Sequence, residues 1–168
     1  MKRIGLISDT HSYLDPQLKD FFTDCDEIWH LGDVGDIKVI EELSKWKKTI
    51  GVYGNIDNKE VRSIFPEVLI IEENNFKFML IHIAGPFGKY NYKVQEYLKT
   101  HSNIQCIICG HSHILKVQYD KKNKLLYINP GAAGKHGFHQ IRTAMKFEVH
   151  NGSIQQLQLI ELGKRSKL

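Results

Sequence analysis

Apolar runs that stop on aspartate, asparagine or histidine recur along this chain, and they constrain its fold more than any other feature. Lys2–Ser8 leads into Asp9-Thr10-His11, Glu27–Leu31 into Gly32-Asp33, Thr49–Tyr53 into Gly54-Asn55, Phe76–Ile81 into His82, and Ile104–Cys109 into Gly110-His111-Ser112-His113. Short apolar runs bounded by turn residues read as buried strands. Polar side chains gathered just beyond the carboxyl ends of such strands mark the binding edge of an α/β sheet.

Each segment offers a carboxylate or amide oxygen or an imidazole nitrogen, the donors that borderline divalent cations such as Zn, Mn, Fe and Ni accept. A single Asp-x-His or His-x-His pair also occurs as ordinary satisfied polar side chains, so no one segment carries the assignment. The joint pattern does, because Asp9, Asp33, Asn55, His82 and His111 fall at similar spacings, each where a strand gives way to a loop. Together with His11 and His113 they are about what two adjacent cations need if one carboxylate bridges them.

The ordered set Asp-x-His, Gly-Asp, Gly-Asn, His and Gly-His-x-His resembles the calcineurin-like metallophosphoesterase superfamily, especially its small single-domain bacterial and archaeal phosphodiesterases. The resemblance runs from Lys2 to about Gly134, with Asn129-Pro130-Gly131-Ala132 similar to the family's late Asn-Pro-Gly-Ser turn. It implies an α/β (α+β) fold: two mixed sheets packed as a sandwich between helices, in four layers. It further implies that Asp9, His11 and His113 hold one metal, that Asn55, His82 and His111 hold a second, and that Asp33 bridges them. The implied cofactor is a pair of divalent ions from among Mn, Ni, Zn, Fe and Mg, with Mn the first choice. Two such cations outweigh the two aspartates and a bridging hydroxide, so the pocket stays positive and suits a phosphate ester. The implied reaction is attack of that hydroxide on phosphorus, with no serine or cysteine nucleophile.

The catalytic candidates beside the ligands are Asn55, whose amide can also donate to a bound phosphate, and Asp57. Many relatives read Gly-Asn-His-Asp or Gly-Asn-His-Glu, with the histidine assigned to protonate the leaving group. This chain has Gly54-Asn55-Ile56-Asp57, and isoleucine moves no proton. General acid catalysis is worth about 10²–10⁴ in rate, so the expectation is a slower catalyst favouring acidic leaving groups. Three roles are open to Asp57: contact with a metal-bound water, orientation of a loop backbone, or capping of the next turn. His82-Ile83 replaces the usual His-Gly, which reshapes the loop but keeps the ligand. His136, His139 and Arg142 follow the Asn129-Pro130-Gly131 turn and are the substrate-contact candidates, a solvated surface loop being the alternative. His30 sits before Gly32-Asp33, where it either supports the ligands from behind or fills the core. The segment Pro86–Tyr92 suits a wall that stacks on an organic group, or a loop packed on the core.

A chain of 168 residues is one domain by the usual prior and buries a core without staples. The reading divides it into a domain over 1–163 and a basic tail over 164–168. Cys25, Cys106 and Cys109 make no even disulfide framework, and strand alternation points Cys106 and Cys109 to opposite faces, as buried apolar thiols. No run reaches a membrane span, and the start leads straight into a strand, so the expected location is cytoplasmic. The terminal Ser166-Lys167-Leu168 would be a peroxisomal address only in a eukaryotic host. A net charge of +4 neither requires nor excludes nucleic acid, which the absence of gripping domains makes the weaker partner.

Alternation of strand and helix in the first half predicts parallel strands with crossover helices at Asp15–Phe22 and Asp36–Trp46. The second half predicts strands at Val68–Glu72, Phe76–His82, Ile104–Cys109, Leu115–Tyr119, Leu125–Asn129, Thr143–His150 and Ser153–Glu161, with one helix at Tyr92–Thr100. Asn74-Asn75 and Asn151-Gly152 are hairpin turns. The leading function is a metal-dependent phosphodiesterase acting on a small, nucleotide-type phosphodiester. The alternatives are a phosphomonoesterase of the same fold and a non-catalytic protein-interaction scaffold like the retromer subunit that shares it. A homo-oligomer is compatible with the strand-rich second half.

Overall fold

The computed structural model describes residues 1–165. Strands β1 (Lys2–Ile7), β2 (Glu27–His30) and β3 (Lys48–Gly51) alternate with helices α1 (Gln17–Phe21) and α2 (Lys38–Trp46), followed by α3 (Lys59–Ile64). Then come β4 (Val68–Glu73), β5 (Phe76–Ile81), α4 (Tyr92–Thr100), β6 (Cys106–Ile108), β7 (Lys116–Asp120), β8 (Leu125–Asn129), β9 (Ile141–His150) and β10 (Ser153–Lys164).

The strands form two five-stranded mixed sheets, ordered β10-β9-β1-β2-β3 and β4-β5-β6-β8-β7. Within them β1, β2 and β3 run parallel, as do β5, β6 and β8. The inner faces meet in a core of Ile4, Leu6, Trp29, Leu31, Phe78, Leu80, Ile108 and Phe147. Outside the first sheet, Leu18, Val39, Leu43 and Val61 from the helices pack on Ile7 and Ile28. Outside the second, Val94 of α4 packs on Met79, Ile81 and Ile107. Helix, sheet, sheet, helix is the four-layer arrangement that the family resemblance implies.

Cys106 joins the inter-sheet core and Cys109 the outer cluster, on opposite faces as alternation requires. Burial pushes the Cys109 thiol up to about 12 and that of Cys106 well above its ordinary value, so both behave as apolar filling. Asn74 and Asn75 take φ values of 48° and 61°, the left-handed pair that a tight hairpin needs. The short α3 was not expected. Its start is marked by Asn58, whose Oδ1 accepts the N–H groups of Glu60 and Val61. β10 continues through Lys164, and the Arg165 N–H donates to the Gln140 carbonyl, so sheet structure extends past the boundary drawn at 163. The Ser166-Lys167-Leu168 tripeptide lies outside the described residues. Among the described residues no helix is long and apolar enough to cross a membrane.

Candidate metal centre

The carboxyl ends of the parallel strands of both sheets converge on one edge, and the loops leaving them carry Asp9 and His11, Asp33, Asn55, His82, and His111 with His113. Backbone bonds lace these loops together. Asp9 and His11 donate their N–H groups to the carbonyls of Gly32 and Asp33, Gly110 to that of His82, and Gly134 to that of Asp9. The loops approach so closely that the motif glycines have no room for a side chain. A Cβ on Gly54 would lie 2.1 Å from Asp33 Oδ1, and one on Gly110 would lie 2.0 Å from Ser8 Oγ.

Two groups of donors result. Asp9, His11 and His113 place ligand atoms within 4.8 Å of one another, and so do Asp33, His82 and His111. Asp33 faces both, with Oδ1 3.2 Å from His82 Nε2 and Oδ2 3.7 Å from His11 Nε2. Asn55 joins the second group, its Oδ1 3.2 Å from His82 Nε2.

The orientation of each donor has an identifiable cause. Asp9 Oδ2 accepts from Ser8 Oγ at 2.6 Å and from the His111 N–H at 3.1 Å. Its Oδ1 is thereby turned inward, where it is buried and has no hydrogen-bond partner among the described residues. His11 Nε2 is the other orphaned buried atom of the cluster. His82 Nδ1 lies 2.7 Å from the Leu31 carbonyl, which can only accept, so Nδ1 carries a proton and Nε2 is turned to the cluster. His139 Nε2 donates to the Gly134 carbonyl at 2.9 Å, and burial lowers the pKa of this ring, which leaves Nδ1 as an acceptor. His113 Nδ1, 3.1 Å away, therefore donates to it. His113 Nε2 is thereby turned into the cluster, 3.1 Å from Asp9 Oδ1. The orphaned atoms and this inward-turned nitrogen fit a pair of divalent ions.

Burial is the largest influence on His82 and on Asp33 and opposes charge on both, but their mutual hydrogen bond, their attraction and the neighbouring charges and backbone bonds together outweigh it. The result holds the Asp33 carboxyl below, and the His82 imidazolium above, their ordinary pKa values. Burial lowers His11 despite Asp33 and Asp9, keeping a neutral imidazole available for ligation. His30 is wholly buried and pushed down to about 3 by desolvation. Its Nδ1 accepts the Gly32 N–H at 3.1 Å and its Nε2 meets Thr10 Oγ1 at 3.0 Å, so it ties the first two ligand loops together from behind.

The backbone is strained where the donors sit. Asp9, His11, Asp33, His111 and His113 have φ values of 53°, 45°, 51°, 66° and 58°, in the left-handed region that is uncommon for residues with a Cβ and is entered most often by asparagine, aspartate and histidine among them.

Three of the candidates have other partners in the structure. Asp57 is buried, and its two oxygens accept the N–H groups of Gly35 and Gly54 at 2.9 and 2.7 Å, so it orients the backbone of the loops bearing Asp33 and Asn55, one of the roles left open by the sequence. Arg142 is a buried partner of Asp15, at 2.6 Å, and also donates to the Leu162 and Lys164 carbonyls, which removes it from substrate contact. His139 spends both nitrogens on His113 and Gly134. His136 alone of these candidates is exposed beside the cluster, its ring centroid 5.2 Å from that of His11. Sequence reasoning missed Ser8, the partner of Asp9, and Asn129, whose Nδ2 bonds the Gly110 carbonyl at 2.8 Å and Ser112 Oγ at 3.0 Å. The signal for Asn129 was its place at the head of the Asn-Pro-Gly turn.

A sandwich of two mixed sheets with facing His/Asp groups at the ends of its parallel strands defines the metallophosphoesterase class of α/β proteins. Residues 1–152 match the calcineurin-like phosphoesterase superfamily domain, and the chain belongs to that superfamily. A "Probable metallophosphoesterase" of Methanocaldococcus jannaschii is 31% identical over 134 residues, covering 77% of this chain and 67% of that protein. Among solved structures, a novel archaeal phosphodiesterase superposes with a TM-score of 0.71 at 22% identity, covering 95% of this chain and 99% of that one. Vps29 of Entamoeba histolytica in complex with Zn²⁺ gives 0.70 at 17% identity, covering 96% and 99%. At those identities the solved structures show the fold.

Proposed function

We propose that the protein is a binuclear metal-dependent phosphoesterase with a preference for small phosphodiesters. The observation that carries the reading is Asp33, one oxygen turned to each donor group. Asp9, His11 and His113 would hold one cation, Asn55, His82 and His111 the other, with Asp33 shared. Divalent cations there supply Lewis acidity, activating water and neutralising phosphate charge. Asn55, exposed at the rim, has its amide Nδ2 available to a phosphate oxygen, and His136 is the free imidazole nearest the site. Ile56, half exposed where many relatives place a histidine, offers no proton, which supports a preference for acidic leaving groups.

Diesters are favoured because two clefts adjoin the cluster, one for each organic arm. One includes His111 in its wall and the other His82 and Asn55, with Ile83 common to both. The test is hydrolysis of bis(nitrophenyl) phosphate beside nitrophenyl phosphate by metal-stripped protein resupplied with Mn, Ni, Zn or Mg. Metal-restored turnover that is faster on the diester is the expected result. No turnover with any metal, at two bound ions per chain, would remove the catalytic reading.

A further inference from the structure

The two clefts differ in chemistry. The one reaching Asn55 and His82 is about 350 Å³ and is bordered by Arg62, Glu67 and Lys93. The one ending on His111 is about 530 Å³ and is walled by Ile83, Pro86, Phe87, Ile114 and Tyr127, with no carboxylate and with Lys116 as its one cation. Its size and composition are those of a small-molecule site, mostly apolar with a few polar groups at one end.

Resting on the phosphoesterase reading above, we propose that the His111 cleft is the subsite for an aromatic arm of the phosphoester. His111 belongs both to the donor group and to the cleft wall. An ester seated at the cluster must place an organic group in the space that adjoins it. Ile83 is 38% exposed and Ile114 62% exposed, apolar surface that an occupant would cover. The wall itself is aromatic: Phe87 meets Tyr127 edge to face at 5.7 Å, and Lys116 Nζ sits 5.3 Å from the Phe87 centroid. A concave site that ends on the reacting centre suits a small aromatic group better than a protein surface. A sugar or polyol arm would meet a mostly apolar wall there, with the Ser112 hydroxyl, whose Oγ already accepts from Asn129 Nδ2 and the Ile114 N–H, and Lys116 Nζ as its few polar side-chain partners besides His111.

Calorimetric binding of phenylphosphonate, methylphosphonate and inorganic phosphate to the Mn-loaded protein tests this without turnover. The two phosphonates differ only in the organic group. Phenylphosphonate should bind at least about tenfold more tightly than methylphosphonate. In an Ile83→Ser/Ile114→Ser double variant, which changes two surface side chains, that ratio should fall to about two- to threefold. Equal phosphonate affinities, with phosphate still binding, would overturn the subsite and leave the phosphoesterase reading standing. A large ratio that the double variant does not reduce would also overturn it, by placing the ring elsewhere. Failure of all three anions to bind would overturn both readings together.

Discussion

His111 gives the sharpest test of the idea that the site is strained in order to hold cations. It is exposed, so removing its imidazole forfeits little packing, and its φ of 66° costs a residue with a Cβ about 1–2 kcal/mol. His111→Gly relieves that strain and gives back about 0.4–1 kcal/mol through the freer unfolded chain. The metal-stripped variant should therefore be more stable than the parent by about 0.5–1 kcal/mol. For a domain of this size that is roughly 1–4 °C in Tm. His111→Ala keeps the strained backbone and should show no such gain. With a cation at about a hundredfold over its Kd the order should reverse. The parent then gains about 2.7 kcal/mol by mass action, and a hundredfold loss of affinity in the variant removes most of that. Scanning calorimetry of the three proteins, stripped and Mn-loaded, measures all of this. A stripped His111→Gly protein that melts below the parent, or no lower than it when loaded, would refute the reasoning.

Other consequences are equally concrete. Asp33→Asn keeps size and shape but loses the charge shared between the donor groups, and should lower turnover by more than about a hundredfold, beyond the 10–100-fold typical of supporting residues; metal analysis should find fewer than two ions per chain. His139→Ala frees the His113 ring and should weaken metal binding by about 10–100-fold in a competition with a chromogenic chelator, with melting of the stripped protein little changed. Arg142→Ala leaves Asp15 buried and unpaired, at a cost of about 3–5 kcal/mol in chemical denaturation and with little effect on the specific activity of the folded fraction. Burial would raise the Asp15 carboxyl, but Arg142 and the Gln17 amides bring it below its ordinary value. Its contribution to stability is thus complete above the unfolded pKa near 4 and fades as pH falls through the lower folded value. An acid-unfolding midpoint that does not move in Arg142→Ala would contradict that assignment.

Sequence alone made the donors legible because metal ligands combine a restricted residue set with a fixed position after a strand. Every donor carried over from the motif arrives at the same edge of the sandwich. The sheet pairing, by contrast, came from the resemblance: nothing in the apolar runs of β5, β6 and β8 says that they form a second sheet rather than extend the first. The substrate contacts were the least legible. His136, His139 and Arg142 are equally polar and close in sequence, yet one is exposed at the rim, one is locked to His113, and one is buried on Asp15. Alternation within a loop does not fix direction, so only the three-dimensional partners separate them. Asp57 shows the same limit, since a carboxylate two residues after a ligand serves catalysis or a backbone clamp depending on which N–H groups reach it.

The energetics of the loops bear on whether the donor cluster holds metal. Of the twelve non-glycine residues in the left-handed region among those described, five are donors, Asp9, His11, Asp33, His111 and His113, each at a cost of about 1–3 kcal/mol. To this is added the burial of Asp9 Oδ1 and His11 Nε2 without partners. Domains of this kind are stable by only about 5–15 kcal/mol, so the cluster consumes free energy comparable with the whole margin. Cation binding would offset both the strain and the orphaned atoms. Strain at five of the seven donors therefore supports the proposed metal centre.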